Sequence, residues 1–246
     1  MIYYDEYGCE NNQVILMLPG AAALDTFSKQ YFLSEKYHLI VPHLPGSGKS
    51  VNIIYNSEET ISQLLALIDF LGIENAVLMG HSVGGQLATA LVSLRPDAFK
   101  GALFLSPWII PNQKLSKLYS SCANVMSFCF KMKKLIIWQC KYWGLSDEQS
   151  RYMAEYSKYI SPEQYRAFFN QPIDLNNFPA YSNVDIPMLA VCGEKENDII
   201  KKSVNLLQER NTHCKAVIVP RANHDFPLRK AQQLNELLLD FLDNLE

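Results

Sequence analysis

The sequence predicts an α/β protein with a mostly parallel open sheet and flanking helices. Short runs of apolar and β-branched residues alternate with longer segments of helical periodicity, which is the pattern of repeated β-α-β units. Several runs are apolar throughout, as in strands that are covered on both faces of a parallel sheet. Apolar residues make up 48% of the 246 residues and charged residues 19%, a composition that supports a buried core.

Six strands are expected, and most of them end at a glycine, a proline or a short turn. They are Val14–Leu18, His38–Pro42, Ala76–Met79, Ala102–Leu105, Pro187–Cys192 and Ala216–Val219. Helical patterns fill most of the gaps, at 58–71 with Ser57 as its N-cap residue, Gln86–Leu94, Ile199–Glu209 and Leu228–Leu242. Because only thirteen residues precede Val14, a full eight-stranded sheet is not expected.

The interval between the fourth and fifth strands is far longer than one crossover helix requires. Residues 109–180 have mostly helical patterns and are rich in aromatic, Met and Cys residues. An inserted helical cap at the carboxyl ends of the strands would lie over the crevice where such sheets bind ligands, whereas the alternative is a larger core. We favour a core of residues 1–108 and 181–246 with a cap or lid insertion of residues 109–180.

Charge and cysteine spacing argue against several functional classes. The formal net charge of −3 provides no footprint for nucleic acid, and the six cysteines lack the spacing of a metal site or disulfide framework. The N-terminus has no secretory pattern and no apolar run is long enough to span a membrane, so a cytoplasmic location is expected. Lysines alternate with apolar residues around Lys114–Lys141, which would allow membrane-surface attachment, but we favour burial of these helices on the sheet.

The segment Gly80-His81-Ser82-Val83-Gly84-Gly85 predicts a nucleophilic serine. A strand that turns sharply into a helix here would strain the backbone of Ser82 and project its hydroxyl above the sheet edge. Small residues two before and two after the serine let the flanking backbones pass closely. The N-terminus of the new helix would then point at the negative charge that develops during acyl transfer.

A serine hydroxyl needs a base that takes its proton, and two of the five histidines follow strands at the expected edge of the sheet. These are His43 and His224. His224 lies in the loop between the last strand and the last helix, which can bring its imidazole within hydrogen-bond distance of the Ser82 hydroxyl. His224 is therefore the candidate base, while His81 is expected to point away from that hydroxyl.

The base needs a carboxylate that fixes its tautomer and stabilises the imidazolium. Glu196 follows the fifth strand at the tip of a turn and is the first choice. Asp198 is the alternative, although it could instead cap the helix that begins near Ile199. The chain order of serine, acid and histidine is that of known hydrolases with a parallel sheet.

Acyl transfer also requires donors that point at the oxyanion of the tetrahedral intermediate. One expected donor is the backbone amide of Val83. The other is expected from the loop Pro19-Gly20-Ala21-Ala22-Ala23, where Ala21 or Ala22 would present its amide and small side chains would leave the approach open.

The stretch Gly46-Ser47-Gly48-Lys49-Ser50 looks like the end of a phosphate-binding P-loop. That motif needs a glycine five residues before Gly48, where His43 stands instead. No clear helix follows until Ser57. Nucleotide binding is therefore not expected, and neither a cofactor nor a metal is predicted.

Taken together, these segments resemble the α/β-hydrolase fold superfamily, especially its small capped members, over nearly the whole chain. The resemblance is based on five segments, which are residues 18–22, 44–50, 80–85, 193–196 and 223–224. The glycine-rich stretch at 44–50 is similar to the family's GxGxS turn. The chain departs from the family in having Pro19-Gly20 where His-Gly is frequent, His43 where an Asp is usual, and Glu196 where many members have Asp.

The resemblance implies an esterase-like serine hydrolase that cleaves a small to medium ester or thioester through an acyl-enzyme. The aromatic residues near and within the insertion favour an apolar substrate. Expected substrate contacts are Gly20, Ala22, His81, Trp108, Phe128 and Trp138. Two alternatives stay open, namely a lyase or C–C bond hydrolase with the same triad, and a small-molecule receptor with little turnover.

Overall fold

The computed structural model describes residues 2–245, which contain one seven-stranded sheet in the order β1-β3-β2-β4-β5-β6-β7. All neighbouring strands are parallel except β1, which is antiparallel to β3. The strands are β1 Tyr4–Tyr7, β2 Val14–Leu18, β3 His38–Pro42, β4 Ala76–His81, β5 Phe99–Leu105, β6 Met188–Gly193 and β7 Cys214–Val219. The predicted fold class is confirmed.

The sequence did not predict β1. Its four residues, Tyr-Asp-Glu-Tyr, are half-exposed or exposed, so they lack the apolar run by which the other strands were recognised. β1 pairs with β3 from Tyr4 opposite Pro42 to Tyr7 opposite Leu39, and its position at the sheet edge explains its polar composition.

The helices flank the sheet. The helices that were predicted from the sequence lie close to their expected boundaries. They are α1 Ser57–Leu71, α2 Val83–Leu94, α3 Gln113–Ser121, α4 Ala123–Phe130, α5 Lys133–Tyr142, α6 Asp147–Ser157, α7 Pro162–Asn170, α8 Asp198–Arg210, α9 Phe226–Arg229 and α10 Ala231–Asp243. The N-cap of α1 is Asn56 and not Ser57, because the Asn56 side chain accepts a hydrogen bond from the Glu59 amide at 3.0 Å. The predicted last helix is interrupted at Lys230.

Five helices, α3 to α7, lie between β5 and β6, in the region where the sequence predicts an insertion. α5 packs on α6, and α7 contacts both α3 and α4. α3 contains no fully buried residue, although Leu115 and Tyr119 are half-buried and pack against the hydrophobic core. The division of the chain into core and cap stays a prediction. Within residues 2–245 no helix combines the length and apolar character needed to cross a membrane.

The turn from β4 into α2 depends on the absence of side chains at two glycines. A Cβ atom on Gly80 would overlap the carbonyl oxygen of Gly84, and one on Gly84 would overlap the carbonyl oxygen of Leu18 in β2. Both obstacles are backbone atoms, one in the first turn of α2 and one in β2, where packing leaves little room for adjustment. The first turn of α2 therefore lies directly against β2.

We predict that Gly84→Ala destabilises the fold by roughly 3 kcal/mol or more, because backbone must move to admit the methyl group. Gly72→Ala is the matched control: Gly72 has a left-handed φ of 60° but open space around its Cβ position. Backbone strain alone would cost about 1–2 kcal/mol there. Urea unfolding of both variants tests the prediction, and equal midpoints for Gly84→Ala and the wild type would contradict it.

Candidate active site

Ser82 occupies the corner between β4 and α2 in a strained conformation. Its φ of 55° and ψ of −117° are unusual for a residue with a side chain. The Ser82 amide donates to the Leu105 carbonyl at 2.8 Å, and the Ser82 carbonyl accepts from the Gln86 amide at 3.0 Å. The sheet and the new helix therefore both hold the serine backbone at the carboxyl edge of the strands.

Glu196 and His224 form a close pair, although 28 residues separate them along the chain. His224 Nδ1 lies 2.6 Å from Glu196 Oε2, and the Glu196 side chain is 2% exposed whereas that of His224 is 50% exposed. A carboxylate on Nδ1 favours the tautomer that carries its proton there, so Nε2 is left as the basic nitrogen. The predicted acid and base thus lie together at the expected edge of the sheet.

Two further donors hold the second oxygen of Glu196. Oε1 accepts from the Gly193 amide at 2.8 Å and from the Ser106 hydroxyl at 2.5 Å. Burial raises the pKa of Glu196, but the hydrogen bond and charge of His224 together with these two donors lower the pKa below its ordinary value. Glu196 is therefore held as a carboxylate in a buried position.

Asp198, the alternative acid, does not reach this pair. It begins α8 with its side chain 85% exposed, and it forms an ion pair with Lys201 at 3.2 Å. The N-cap role considered for Asp198 belongs to Asn197, whose side chain accepts from the Ile200 amide at 3.1 Å.

Ser82 and His224 line one cavity, so the structure brings the predicted nucleophile and base to the same place. The expected direct hydrogen bond is absent, since within residues 2–245 the Ser82 hydroxyl makes none. Contacts between a nucleophile and its base are often looser without substrate. The two side chains thus line the same cavity without a direct hydrogen bond between them.

His81 supports the loop that carries His224. Its Nε2 lies 2.9 Å from the His224 carbonyl oxygen, and the two imidazole rings are 4.8 Å apart. Burial and then the charge of His224 lower the pKa of His81 to about 3, so its ring is neutral and Nε2–H donates to that carbonyl. His81 also lines the cavity, as the substrate-contact prediction requires.

His43 stabilises the glycine-rich turn of residues 44–50. Its Nδ1 accepts a hydrogen bond from the Lys49 amide at 2.9 Å, while Nε2 lies 2.9 Å from an oxygen of Asp5. The Nδ1 atom thus supplies an acceptor for the turn, and Asp5 on β1 lies beside the second nitrogen. His43 does not line the cavity.

The loop after β2 presents a free amide at the cavity. Ala21 and Val83 both line it, and neither backbone N–H has an acceptor among residues 2–245. Ala22 has a left-handed φ of 53°, is buried and does not line the cavity, which corrects its prediction as a substrate contact. The Ala23 amide closes this turn on the Gly20 carbonyl at 3.2 Å.

The cavity has a volume of about 620 Å³, within the usual range for small-molecule sites. Gly20 and Trp108, two of the expected substrate contacts, line it, and Trp143 donates to an Asp225 oxygen at 3.1 Å. Its larger apolar walls come from Trp108, Tyr119, Trp143, Phe168, Phe169, Ile200 and Leu228.

The structure does not bring Phe128 and Trp138 to this cavity, although both were expected as substrate contacts. Their side chains are 66% and 62% exposed on α4 and α5. Helical spacing in residues 109–180 does not say which face of a helix meets the core, so the sequence could not tell that these two aromatic side chains lie outside the cavity.

Ser106 belongs to the candidate site but was not predicted from the sequence. It follows β5 directly, has a left-handed φ of 49° and is fully buried beside Glu196. The signal was available, since a polar residue at the carboxyl end of a strand adjacent to the elbow strand faces the same crevice.

Within residues 2–245, one group of side chains could hold a metal ion, and it lies outside this cavity. Glu6, Cys9 and His38 place their ligand atoms within 4.8 Å of one another at the exposed β1–β3 edge, with His38 Nε2 2.9 Å from Glu6 Oε1. The six cysteines are all free thiols.

The chain belongs to the alpha/beta hydrolase fold family, whose model matches residues 13–231. It is 31% identical over 91 residues to a protein named "Putative carbamate hydrolase RutD" from Pseudomonas syringae pv. syringae (strain B728a), a match that covers 36% of this chain and 35% of that protein. It is also 31% identical over 104 residues to the 2-hydroxy-6-oxononadienedioate/2-hydroxy-6-oxononatrienedioate hydrolase of Paraburkholderia phymatum (strain DSM 17167 / CIP 108236 / LMG 21445 / STM815), covering 39% and 36% of the two chains.

The matched regions thus span about a third of the length of these two curated relatives. Among solved structures, a thermophilic esterase from Thermogutta terrifontis superposes with a TM-score of 0.75 at 16% identity, over 99% of this chain and 93% of that one. At such identity the superposition establishes a shared fold.

We predict that His81 makes folding stability pH-dependent. The unfolded chain binds a proton at His81 below its ordinary pKa of 6.5, whereas the folded chain does so only near pH 3. Stability is therefore lost as pH falls from about 7 towards 3, by roughly 2 kcal/mol at pH 5.

His81→Gln retains a donor for the His224 carbonyl but does not titrate, so its stability should fall less between pH 7.5 and 5 than that of the wild type. Urea unfolding at both pH values measures the difference. Asp25→Asn is the control, and its stability should fall more than that of the wild type over the same pH range. Burial raises the pKa of Asp25 to about 6, so protonation of Asp25 stabilises the wild-type fold at low pH, and the variant loses this contribution. Parallel pH profiles for wild type and His81→Gln would contradict the prediction.

Proposed function

We propose that the protein is a serine hydrolase that cleaves an ester or thioester of an apolar, small to medium acyl group through an acyl-enzyme. The observation that carries this proposal is the hydrogen-bonded Glu196–His224 pair in the same cavity as the strained Ser82. Family membership supports hydrolytic chemistry, while the substrate class is inferred from the cavity.

In the first half of the reaction the Ser82 oxygen attacks the carbonyl carbon as His224 Nε2 takes the hydroxyl proton. The unpaired amides of Ala21 and Val83 donate to the oxygen on which negative charge develops. The tetrahedral intermediate then expels an alcohol or thiol, which leaves with the proton from His224. Glu196 stabilises the imidazolium and holds the ring in position.

In the second half, water replaces the leaving group and His224 removes its proton. Attack on the acyl-enzyme carbonyl regenerates the same oxyanion, and collapse releases the acid and restores the Ser82 hydroxyl. Half of the His224 side chain is exposed, which gives water a route to the base, whereas Glu196 stays shielded.

The wall of the cavity favours an apolar acyl group. Aromatic side chains dominate it, and Lys195 is the one lysine or arginine among its lining residues in the described chain. Carboxylates of Glu196 and Asp225 are also present. A substrate with several negative charges would therefore meet little compensation.

Hydrolysis of a carbon–carbon bond with the same triad is the second candidate, since one relative is named as a hydrolase of a dioate. A dioate carries two carboxylates, and the paucity of cations around the cavity makes the ester or thioester reaction the preferred proposal. Turnover of apolar esters and of a β-diketone or dioate panel distinguishes the two.

We predict that a fluorophosphonate probe labels Ser82, as identified by mass spectrometry of the modified peptide. Ser82→Ala should abolish labelling, and its hydrolysis of p-nitrophenyl esters should fall by at least about 10³-fold. Ser116→Ala, on the partly exposed α3, serves as the matched serine control and should label normally. Labelling without turnover of any ester would instead support a receptor or lyase.

We also predict that Glu196→Gln lowers kcat by about 10³–10⁴-fold, because the amide cannot fix the tautomer or stabilise the imidazolium. Asp198→Asn should remain within about twofold of the wild type, since Asp198 is exposed and pairs with Lys201. Steady-state kinetics with one ester measures both. A Glu196→Gln enzyme with normal kcat would remove Glu196 from the proposed mechanism.

A further inference from the structure

The helices α3 to α5 expose an unusual concentration of large apolar side chains. Seven such residues, each between 37% and 66% exposed, define what we call the apolar patch: Leu118, Val125, Phe128, Met132, Leu135, Trp138 and Tyr142. They fall within 25 consecutive positions, and α4 contacts both α3 and α5, so the helices that carry them adjoin. Concentrated exposure of this kind marks an interaction surface and is rarely a feature of an inert face.

The exposed residues of the apolar patch are regularly spaced along the chain. From Val125 to Tyr142 the exposed positions recur every three or four residues across α4, the connecting turn and α5. The rings of Trp138 and Tyr142 stack at 6.2 Å on that surface. Other residues of the same helices, such as Ile136 and Cys140, are buried, so each helix has an inner and an outer apolar side.

The chain segment that carries the patch contains charged side chains of one sign. Residues 109–146 contain six lysines and no Asp, Glu or Arg, and because the whole chain has a net charge of −3, the remainder carries −9. Lys133 pairs with Glu155 at 3.2 Å and Lys141 pairs with Asp147 at 3.5 Å, and both acidic residues lie on α6. The other four lysines, which have no ion pair among residues 2–245, are Lys114, Lys117, Lys131 and Lys134.

The patch adjoins the cavity of the candidate active site at both of its ends. Tyr119 and Trp143 line the cavity, and they directly follow Leu118 and Tyr142 in the chain. Leu118 also borders a shallow depression with Asn197, which itself lines the main cavity. A surface that bound the patch would therefore lie close to the active-site cavity.

We propose that the α3–α5 surface binds peripherally to anionic phospholipid bilayers. The lysines would contact the lipid phosphates, and the side chains of the apolar patch would enter the boundary between headgroups and acyl chains. Long lysine side chains can keep their charge at the headgroups while their stems lie along apolar surface. Attachment of this kind needs no spanning helix.

The composition of the surface favours lipid over a second copy of the chain. Protein interfaces are depleted of lysine, whereas lysine combined with Trp, Phe and Leu is typical of helices that lie on membranes. The acidic remainder of the chain could attract the lysines of another copy, and that outcome is separated by the test below. The proposal does not depend on the chemistry of Ser82.

Co-sedimentation with vesicles tests the proposal. The full chain should sediment with phosphatidylcholine vesicles that contain a quarter phosphatidylglycerol, and at least tenfold more weakly with pure phosphatidylcholine. Phe128→Ser combined with Trp138→Ser should weaken binding at least tenfold, since both side chains are exposed and their replacement leaves the core intact. Lys131→Gln combined with Lys134→Gln should weaken binding and reduce its dependence on salt.

Phe70→Ser is the matched control, because Phe70 is 61% exposed on α1 and lies outside the patch; its binding should equal that of the wild type. Fluorescence of the wild type should shift to the blue with anionic vesicles, and Trp138→Phe should lose most of that shift, since Trp108 is buried and Trp143 is half-buried in the cavity wall. Failure to sediment with either vesicle, or equal weakening by Phe70→Ser, would overturn the proposal. A dimer in light scattering that Trp138→Ser dissociates, without vesicle binding, would assign the patch to a second copy.

Discussion

The candidate site depends on a close approach of three backbones at the corner between β4 and α2. Gly84 lies against the Leu18 carbonyl of β2, and the Ser82 amide is bound by Leu105 of β5. These contacts hold Ser82 in a conformation that an isolated chain would rarely adopt, and the cost is borne by the buried central sheet. The helix N-terminus and the unpaired Val83 amide then face the cavity as a consequence of the same turn.

Around this corner, the polar groups are fixed before any substrate arrives. Glu196 is bound by Gly193 and Ser106 and has little freedom to turn away from His224. His81, kept neutral by burial, holds the main chain of His224 from the opposite side. Such preorganisation matters in hydrolytic chemistry, because dipoles that are already oriented need not reorganise when charge develops.

The helices between β5 and β6 have two apolar surfaces, one that lines the cavity and one that is exposed on the outside of the molecule. Side chains such as Tyr119 and Phe169 turn inward and give the cavity the apolar lining on which the proposed acyl substrate rests. Phe128 and Trp138 turn outward beside lysines, which suits a lipid surface. An enzyme that met its ester at a membrane would use both, since the outer surface would bring the cavity to where apolar substrates concentrate.

The parallel α/β fold and the shared sheet edge of Ser82, Glu196 and His224 could be predicted from the sequence, because they depend on local turns at the ends of apolar strands. The sequence favoured Glu196 over Asp198 but left both open, because the direction of a side chain after a strand depends on packing partners distant in the chain. The tertiary structure places Glu196 beside His224, with Ser106 next to it, and leaves Asp198 exposed. It alone also decided which helix faces are exposed, since periodicity specifies that two faces differ but not which one the core covers.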